Sequence, residues 1–314
     1  MSADILQPEK LGGLTGRRVK ADYHKSMDAT SLAMSISNHL KYTLAKHPAG
    51  ATLHDRYWAT ACAIRDRLVD RWVATQGAYH EQDVKRAYYL SMEYLPGRTL
   101  RNSIINLGLS EGFAQAMQEL GWNAAELLEV EPDAGLGNGG LGRLASCLLD
   151  AMATIQVPAM GYGLRYEFGM FRQSIRDGAQ AEEPDYWLRL GSPWEISRPE
   201  ATFPIKMYGN VIWGAHPDGR PRREWVDTQE LWAVPVDVPI PGYGNNTVNL
   251  LRLWAATGTD LFDYEYFNSG DYIRSIERSM HHENITRVLY PNDKVAVGQE
   301  LRLDGKAYRF AEHP

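Results

Sequence analysis

Five glycines fall within the eight positions Gly135–Gly142 of the run Asp133-Ala-Gly-Leu-Gly-Asn-Gly-Gly-Leu-Gly-Arg143, which leads straight into an apolar stretch with helical spacing. No other segment limits the fold as tightly. Glycine lets a ligand or a second stretch of chain approach the backbone with no Cβ in between, at an entropic cost on folding. From Leu141 to Ala153, Leu141, Leu144, Leu148 and Met152 recur at spacings of three and four, which predicts a helix. Free N–H groups at the start of such a helix point back into the loop and suit an anion, a phosphate above all.

Other readings of the same run are weaker. Gly135, Gly137 and Gly140 satisfy G-x-G-x-x-G, but a dinucleotide site also needs a preceding strand and an acidic residue about 20 positions on. Here the preceding Ala124–Val130 reads as helix, and after Met152 no carboxylate appears until Glu167. No Gly-Lys-Ser/Thr follows, which excludes a P-loop. What remains beside the phosphate cradle is a glycine-rich turn that packs a helix on a sheet.

Helices flank a strand-rich middle. Leu32, Ile36, Leu40 and Leu44 recur every four residues in a first helix ending near His47-Pro48. Thr52 and Asp55 form a capping box for a second helix, with Leu53, Tyr57, Ala61, Ile64, Leu68 and Trp72 on one face. Arg86–Met92 suits a buried strand, and Thr99–Leu109 and Glu111–Leu120 read as helices. Strands follow from Pro158 to Pro241 with turns at Asp177-Gly and Asp218-Gly, and Gly270–Arg287 returns to helix. The pattern predicts one α/β unit with a helical N-terminus and an antiparallel strand extension.

Composition removes several classes of function. With 33 basic and 39 acidic residues, a net charge of −6 and no basic stripe, a nucleic-acid partner is not expected. Met1–Tyr23 lacks an apolar signal core, and no apolar run approaches the roughly 18 residues of a membrane span, so a cytoplasmic location is expected. Cys62 and Cys147 each sit in an apolar helical run and are expected as buried, reduced thiols. Most tryptophans among Trp187, Trp194, Trp213, Trp225, Trp232 and Trp254 are expected in the core. His281-His282 has no metal-site spacing around it, and no metal site is expected.

Together with the helix that follows it, Asp133–Arg143 resembles the α-glucan phosphorylases, the family of glycogen, starch and maltodextrin phosphorylases. Further blocks arrive in the family's order. Tyr88-Tyr-Leu-Ser-Met-Glu-Tyr94 and Gly97-Arg-Thr-Leu100 precede the run. Gly161-Tyr-Gly-Leu-Arg-Tyr-Glu-Phe-Gly-Met-Phe171, Trp187-Leu188 and Gly191-Ser-Pro-Trp-Glu195 follow it. Then come Trp225-Val-Asp-Thr-Gln229, Pro241-Gly-Tyr243, Asn245-Asn246, Leu251-Arg-Leu-Trp254 and Glu283-Asn-Ile-Thr-Arg-Val-Leu-Tyr-Pro-Asn-Asp293. The resemblance spans about Thr30 to Leu303.

This resemblance implies the N-terminal Rossmann-like lobe of a GT-B glycosyltransferase fold, one wall of a cleft between two lobes. It implies reversible phosphorolysis of the terminal unit of an α-1,4-glucan, releasing glucose 1-phosphate with retention. Family members hold pyridoxal phosphate as an imine on a lysine of the C-terminal lobe and use its phosphate as a proton relay. Asn138, Gly139, Gly140 and Leu141 are then expected on the catalytic floor, Asp293 on the gate loop against the sugar, and Glu93 and Arg302 at the cleft. Gly139, Gly140 and Asp293 are the expected catalytic set. Apart from the resemblance, Pro291-Asn-Asp293 reads as turn chemistry and Glu93 and Arg302 as surface ion-pairing residues. Phe262–His282 resembles the helix the family uses between subunits, so a homodimer or a complementary C-terminal lobe is the expected partner; apart from the resemblance the segment reads as an amphipathic surface helix.

Several positions depart from the family. Lys294-Val-Ala replaces an asparagine and aromatic pair of the gate loop, Leu95 stands where many members carry a tyrosine near the cofactor, and Gly77 and His80 do not keep the AMP-site ligands that Trp72 and Gln76 suggest. The resulting division is a mobile arm over 1–25, an incomplete N-terminal lobe over 26–303 and a divergent tail over 304–314. The lysine for pyridoxal phosphate is absent from this chain. An N-terminal fragment is therefore expected, inactive and without cofactor by itself, and completed by a C-terminal lobe. A non-catalytic glucan-binding or dimerisation module derived from the same lobe is the alternative.

Overall fold

The computed structural model describes residues 24–258, 268–271 and 282–289. Asp28 caps α1 (Ala29–Asn38), accepting the Ser31 N–H at 2.8 Å. Leu32, Ile36 and Leu40 are buried as their spacing predicts, and the helix ends in one π-helical turn, His39–Thr43. The capping box of α2 (Leu53–Glu81) is present: the Asp55 N–H donates to Thr52 Oγ1 at 3.1 Å, and the Thr52 N–H to Asp55 Oδ2 at 2.9 Å. These bonds satisfy two N–H groups that the helix itself leaves without partners. Thr52→Ala is expected to cost about 1 kcal/mol in denaturant unfolding; no measurable change would mean that the box leaves stability unaltered. Tyr57, Ala61, Ile64, Leu68 and Trp72 are buried, whereas Leu53 is exposed at the helix's first position.

Next come β1 (Ala87–Leu90), β2 (Tyr94–Gly97), α3 (Thr99–Asn106), α4 (Ser110–Leu120), α5 (Ala124–Glu129), β3 (Ala134–Leu136), α6 (Gly140–Thr154) and β4 (Ala159–Leu164). Helix α3 has no cap from its own N-cap residue. Buried Glu131 caps it from a distant loop, accepting the Thr99 and Leu100 N–H groups at 3.0 and 2.9 Å and Trp194 Nε1 at 2.7 Å. Leu32, Ile36, Tyr57, Ile64, Leu68, Leu100, Phe113 and Met117 form one core cluster of the helical half.

The remaining strands are β5 (Gly169–Arg176), β6 (Ala179–Asp185), β7 (Ile196–Ser197), β8 (Phe203–Met207), β9 (Asn210–Ala215), β10 (Pro221–Val226), β11 (Gln229–Pro241) and β12 (Val248–Gly258). The main sheet runs β1-β4-β12-β11-β7, with β8 also on β11. β1, β4 and β12 are parallel, and β11 is antiparallel to β12, β7 and β8. This is the expected mixed α/β unit with its antiparallel extension. β12 lies beyond the stretch read as strands, because Leu251-Arg-Leu-Trp254 shows no clean alternation. Asp177 and Gly178 both take positive φ at the β5–β6 turn, and Gly219 does so between β9 and β10, as the Asp-Gly pairs predict.

Other expectations are corrected. β1 is not buried: Tyr88 and Leu90 are 58% and 76% exposed, because among the described residues nothing pairs with its outer edge. Trp187 and Trp194 are core, but Trp213 and Trp225 lie exposed on the β9–β10 ribbon, which no second layer covers within the described residues. Cys62 is buried and Cys147 exposed, since the latter sits on the outer side of α6. Of the expected helix Gly270–Arg287, Gly270 is in a turn at positive φ, His282 and Glu283 are helical and Asn284–Thr286 is a 3-10 turn, while the residues between 271 and 282 lie outside the described set. No described helix is long and apolar enough to cross a membrane.

Candidate functional site

The glycine run forms β3, a short loop and the start of α6. β3 pairs antiparallel with β2, which places the loop beside Glu93. The Glu93 side chain is buried, and its Oε2 accepts the Asn138 N–H at 2.9 Å. Its backbone is fixed by neighbours: Tyr94 Oη donates to the Tyr89 carbonyl at 2.9 Å, Tyr166 Oη to the Met92 carbonyl at 3.1 Å, and Ser91 Oγ to the Glu93 carbonyl at 2.8 Å. The family-like block around Tyr166 thus positions Glu93, and Glu93 positions the loop.

The glycines divide into two kinds. A Cβ on Gly137 would lie 3.1 Å from Leu95 Cγ and 3.2 Å from Glu93 Cβ, and one on Gly142 would lie 3.1 Å from Glu93 Cβ. Those two are glycines because Glu93 and Leu95 pack against them. A Cβ on Gly139 or Gly140 would meet nothing within 4 Å. Asn138, Gly139, Gly140 and Leu141 are a continuous exposed stretch, and Gly139, the N-cap of α6, offers no side chain to cap it. The first α-helical bond there runs from the Arg143 N–H to the Gly139 carbonyl at 3.1 Å, so the N–H groups before it precede the helical ladder. Sequence reasoning grouped Asn138 with these donors; its N–H is taken up by Glu93.

The helix turns its small side chains inward. Gly142, Ala145, Ser146, Leu149 and Ala153 are buried, whereas Leu141, Leu144 and Leu148 are 64%, 53% and 37% exposed. β4 explains this choice, since a Cβ on Gly161 would fall 2.7 Å from Leu149 Cδ1 of the helix. Helix and strand pack too closely for larger groups. At the far end, Asn245 Nδ2 donates to the Thr154 carbonyl at 2.9 Å, and a Cβ on Gly242 would lie 2.3 Å from the Ala153 carbonyl oxygen. Pro241-Gly-Tyr243 and Asn245 therefore fasten the C-terminus of the helix whose N-terminus carries the loop.

Asp150 on α6 is pushed from 3.8 to about 6 by burial, partly opposed by the positive charge of Arg143. A carboxyl raised in the fold favours the folded state when protonated, so its contribution is lost as pH rises from about 4 through 6. Asp150→Asn is expected to raise the melting temperature near pH 7 and to flatten its pH dependence across that window. An unchanged profile would show that the carboxyl is as well solvated in the fold as in the unfolded chain.

Asp293 and Arg302 lie outside the described residues. A phosphate-bearing cofactor is met halfway by this site: open space in front of Gly139 and Gly140, at a helix start with no side-chain cap, fits a phosphate group. The loop and the strands and helix that build it carry no lysine of their own, since none occurs between Lys85 and Lys206.

A sequence profile of the family described as carbohydrate phosphorylase matches residues 117–311. The chain is 51% identical over 276 residues to the liver form of glycogen phosphorylase from Homo sapiens, covering 88% of this chain and 32% of that protein. It is 51% identical over 277 residues to the Homo sapiens brain form, with the same two shares, and 49% identical over 273 residues to glycogen phosphorylase from Chlamydia pneumoniae, covering 87% and 33%. The chain thus spans about a third of the length of the curated relatives it matches. The profile match over most of the chain, with relatives about half identical over 88% of it, shows that this chain belongs to the carbohydrate phosphorylase family.

Proposed function

We propose that this chain is the N-terminal part of a retaining α-1,4-glucan phosphorylase with a GT-B architecture, acting in the cytoplasm. The single observation that carries the reading is the exposed, uncapped start of α6 with open space before Gly139 and Gly140, in a chain of this family. In the proposed reaction a phosphate oxygen bonds to C1 of the terminal glucosyl unit as the C1–O4 bond breaks. A proton passes to the departing O4, giving glucose 1-phosphate and a glucan one unit shorter.

The N–H groups of Gly139, Gly140 and Leu141 would donate to phosphate oxygens, in a loop that Glu93 holds through Asn138. A helix terminus favours a nearby anion by about 0.3–2 kcal/mol, so the site needs further cationic groups. Asp293 and Arg302 are proposed to meet the sugar at the gate and the cleft. Pyridoxal phosphate, when bound, would supply a phosphate able to relay a proton; the loop's contribution would be to bind and orient. A C-terminal lobe would supply the lysine, the other phosphate ligands and the second wall, and pairing into a homodimer through 262–282 is part of the same proposal.

The test compares the 314-residue chain with a polypeptide of the relatives' full length that contains it, each supplied with glycogen, phosphate and pyridoxal phosphate. Glucose 1-phosphate is expected from the longer protein and not from the chain by itself. Silence from a folded longer protein sinks the functional reading, and turnover by the chain alone sinks the division of the site between two lobes.

A further inference from the structure

No sequence motif joins His24, His39 and Asp66, which lie 42 and 27 positions apart along the chain when counted to Asp66, yet the fold brings them together. His24 Nδ1 and His39 Nε2 both face Asp66 Oδ2, at 2.8 and 3.0 Å. One ligand atom from each residue lies within 4.8 Å of the other two. Tetrahedral zinc with bonds of about 2.0–2.1 Å sets its ligand atoms about 3.3 Å apart. A small outward shift of the two rings from the oxygen would therefore admit an ion.

The surroundings hold the three groups in place. His39 opens the π-helical turn, a local irregularity that tends to occur at functional sites. Its other ring nitrogen, Nδ1, lies 2.9 Å from Thr43 Oγ1, which orients the ring with Nε2 toward Asp66. The segment carrying His24 is fastened to α2: Arg67 Nε and Nη2 donate to the Ser26 carbonyl at 2.9 and 2.6 Å, and Lys25 pairs with Asp70. The two imidazoles meet edge to face with centroids 6.2 Å apart. The side chains of His24, His39 and Asp66 are 43%, 13% and 26% exposed, so water reaches a fourth position. Two imidazole nitrogens and one carboxylate oxygen suit zinc and its neighbours among the transition metals, and suit calcium or magnesium poorly.

We propose that His24 Nδ1, His39 Nε2 and a carboxylate oxygen of Asp66 bind one Zn2+ ion, completed by water, and that the ion ties the segment entering α1 to α2. This site is independent of the glycine loop and of phosphorolysis. It runs against the expectation from sequence that the chain holds no metal, because its ligands come together only through the α1–α2 packing.

Chelator-stripped 314-residue chain is titrated with Zn2+ by calorimetry and with Co2+ by visible absorption. The expected result is one ion per chain with the d–d bands of four-coordinate Co2+. Thr43→Val is expected to weaken Zn2+ binding by about 10–100-fold, and His24→Gln and Asp66→Asn to weaken it further. Zn2+ is expected to raise the melting temperature of the parent chain and leave that of His24→Gln unchanged. His24→Gln alters a partly exposed side chain, and circular dichroism confirms its fold, so loss of binding there reads as loss of a ligand. Absence of binding overturns the proposal. So does binding that is the same in parent and His24→Gln, which would assign the ion to others of the nine histidines.

Discussion

Asp237→Ala is expected to destabilise the fold by about 3 kcal/mol, lowering the melting temperature by about 5–10 °C. Asp237 sits mid-strand in β11, directly opposite Arg252 on β12, and its side chain is 2% exposed. Arg252 Nε and Nη2 donate to its two oxygens at 2.7 and 2.9 Å, and Arg198 Nε donates to Oδ2 at 3.2 Å. Removing the carboxylate leaves two guanidinium groups facing each other, with only the exposed Glu200, 3.9 Å from Arg198, as counter-charge among the described residues. Breaking a buried pair from one side costs about 3–5 kcal/mol. The arginine side chains are 22% and 36% exposed and can regain some water, which places the effect at the low end. Asp237→Asn, keeping shape and losing charge, is expected to fall between parent and alanine variant. The exposed Arg222–Glu224 pair on β10 serves as comparison, with its removal expected to change stability by less than about 0.5 kcal/mol. Equal effects at the two sites would refute the assignment of a central role to Asp237.

The legible part of this molecule is the part written in local chemistry. Thr52 and Asp55 announce the start of α2, Leu32, Ile36 and Leu40 the buried side of α1, and Asp177-Gly178 the β5–β6 turn, because each depends on residues a few positions apart. The period of α6 is equally legible, but its orientation is not. Both sides of that helix are apolar, and the inward one is chosen by how closely β4 approaches Leu149 through Gly161, which periodicity does not encode. Asp237 does stand out in the sequence as one charge in Val236-Asp-Val238, yet pairing it with Arg252 requires the β11–β12 register. The site divides in the same way. Its glycine run is visible at once, whereas the separation of Gly137 and Gly142, packed on Glu93, from Gly139 and Gly140, open to the outside, appears only in three dimensions.

That separation makes Gly140→Val the most informative substitution for the proposed reaction. Gly140 is the first residue of α6, its φ is not in the left-handed region, and a Cβ there meets nothing within 4 Å. Valine can adopt this backbone, and replacing glycine removes conformational freedom from the unfolded chain, so the melting temperature is expected to stay level or rise slightly. Activity is expected to behave oppositely. The added methyl groups would occupy the space in front of the Gly139, Gly140 and Leu141 N–H groups, where the phosphate is proposed to sit. Displacing a reactant by about 1 Å costs on the order of 100-fold in rate, and a blocked approach costs at least as much. Gly142→Val is expected to differ, because its side chain would strike Glu93 and reduce stability and activity together. Both variants are made in a polypeptide of the relatives' full length, with glucose 1-phosphate release and thermal unfolding measured on the same preparations. A folded Gly140→Val protein that retains parental turnover would remove the phosphate-cradle reading of this loop. Loss of fold at Gly140 would instead show that its open face is covered by another part of the longer polypeptide.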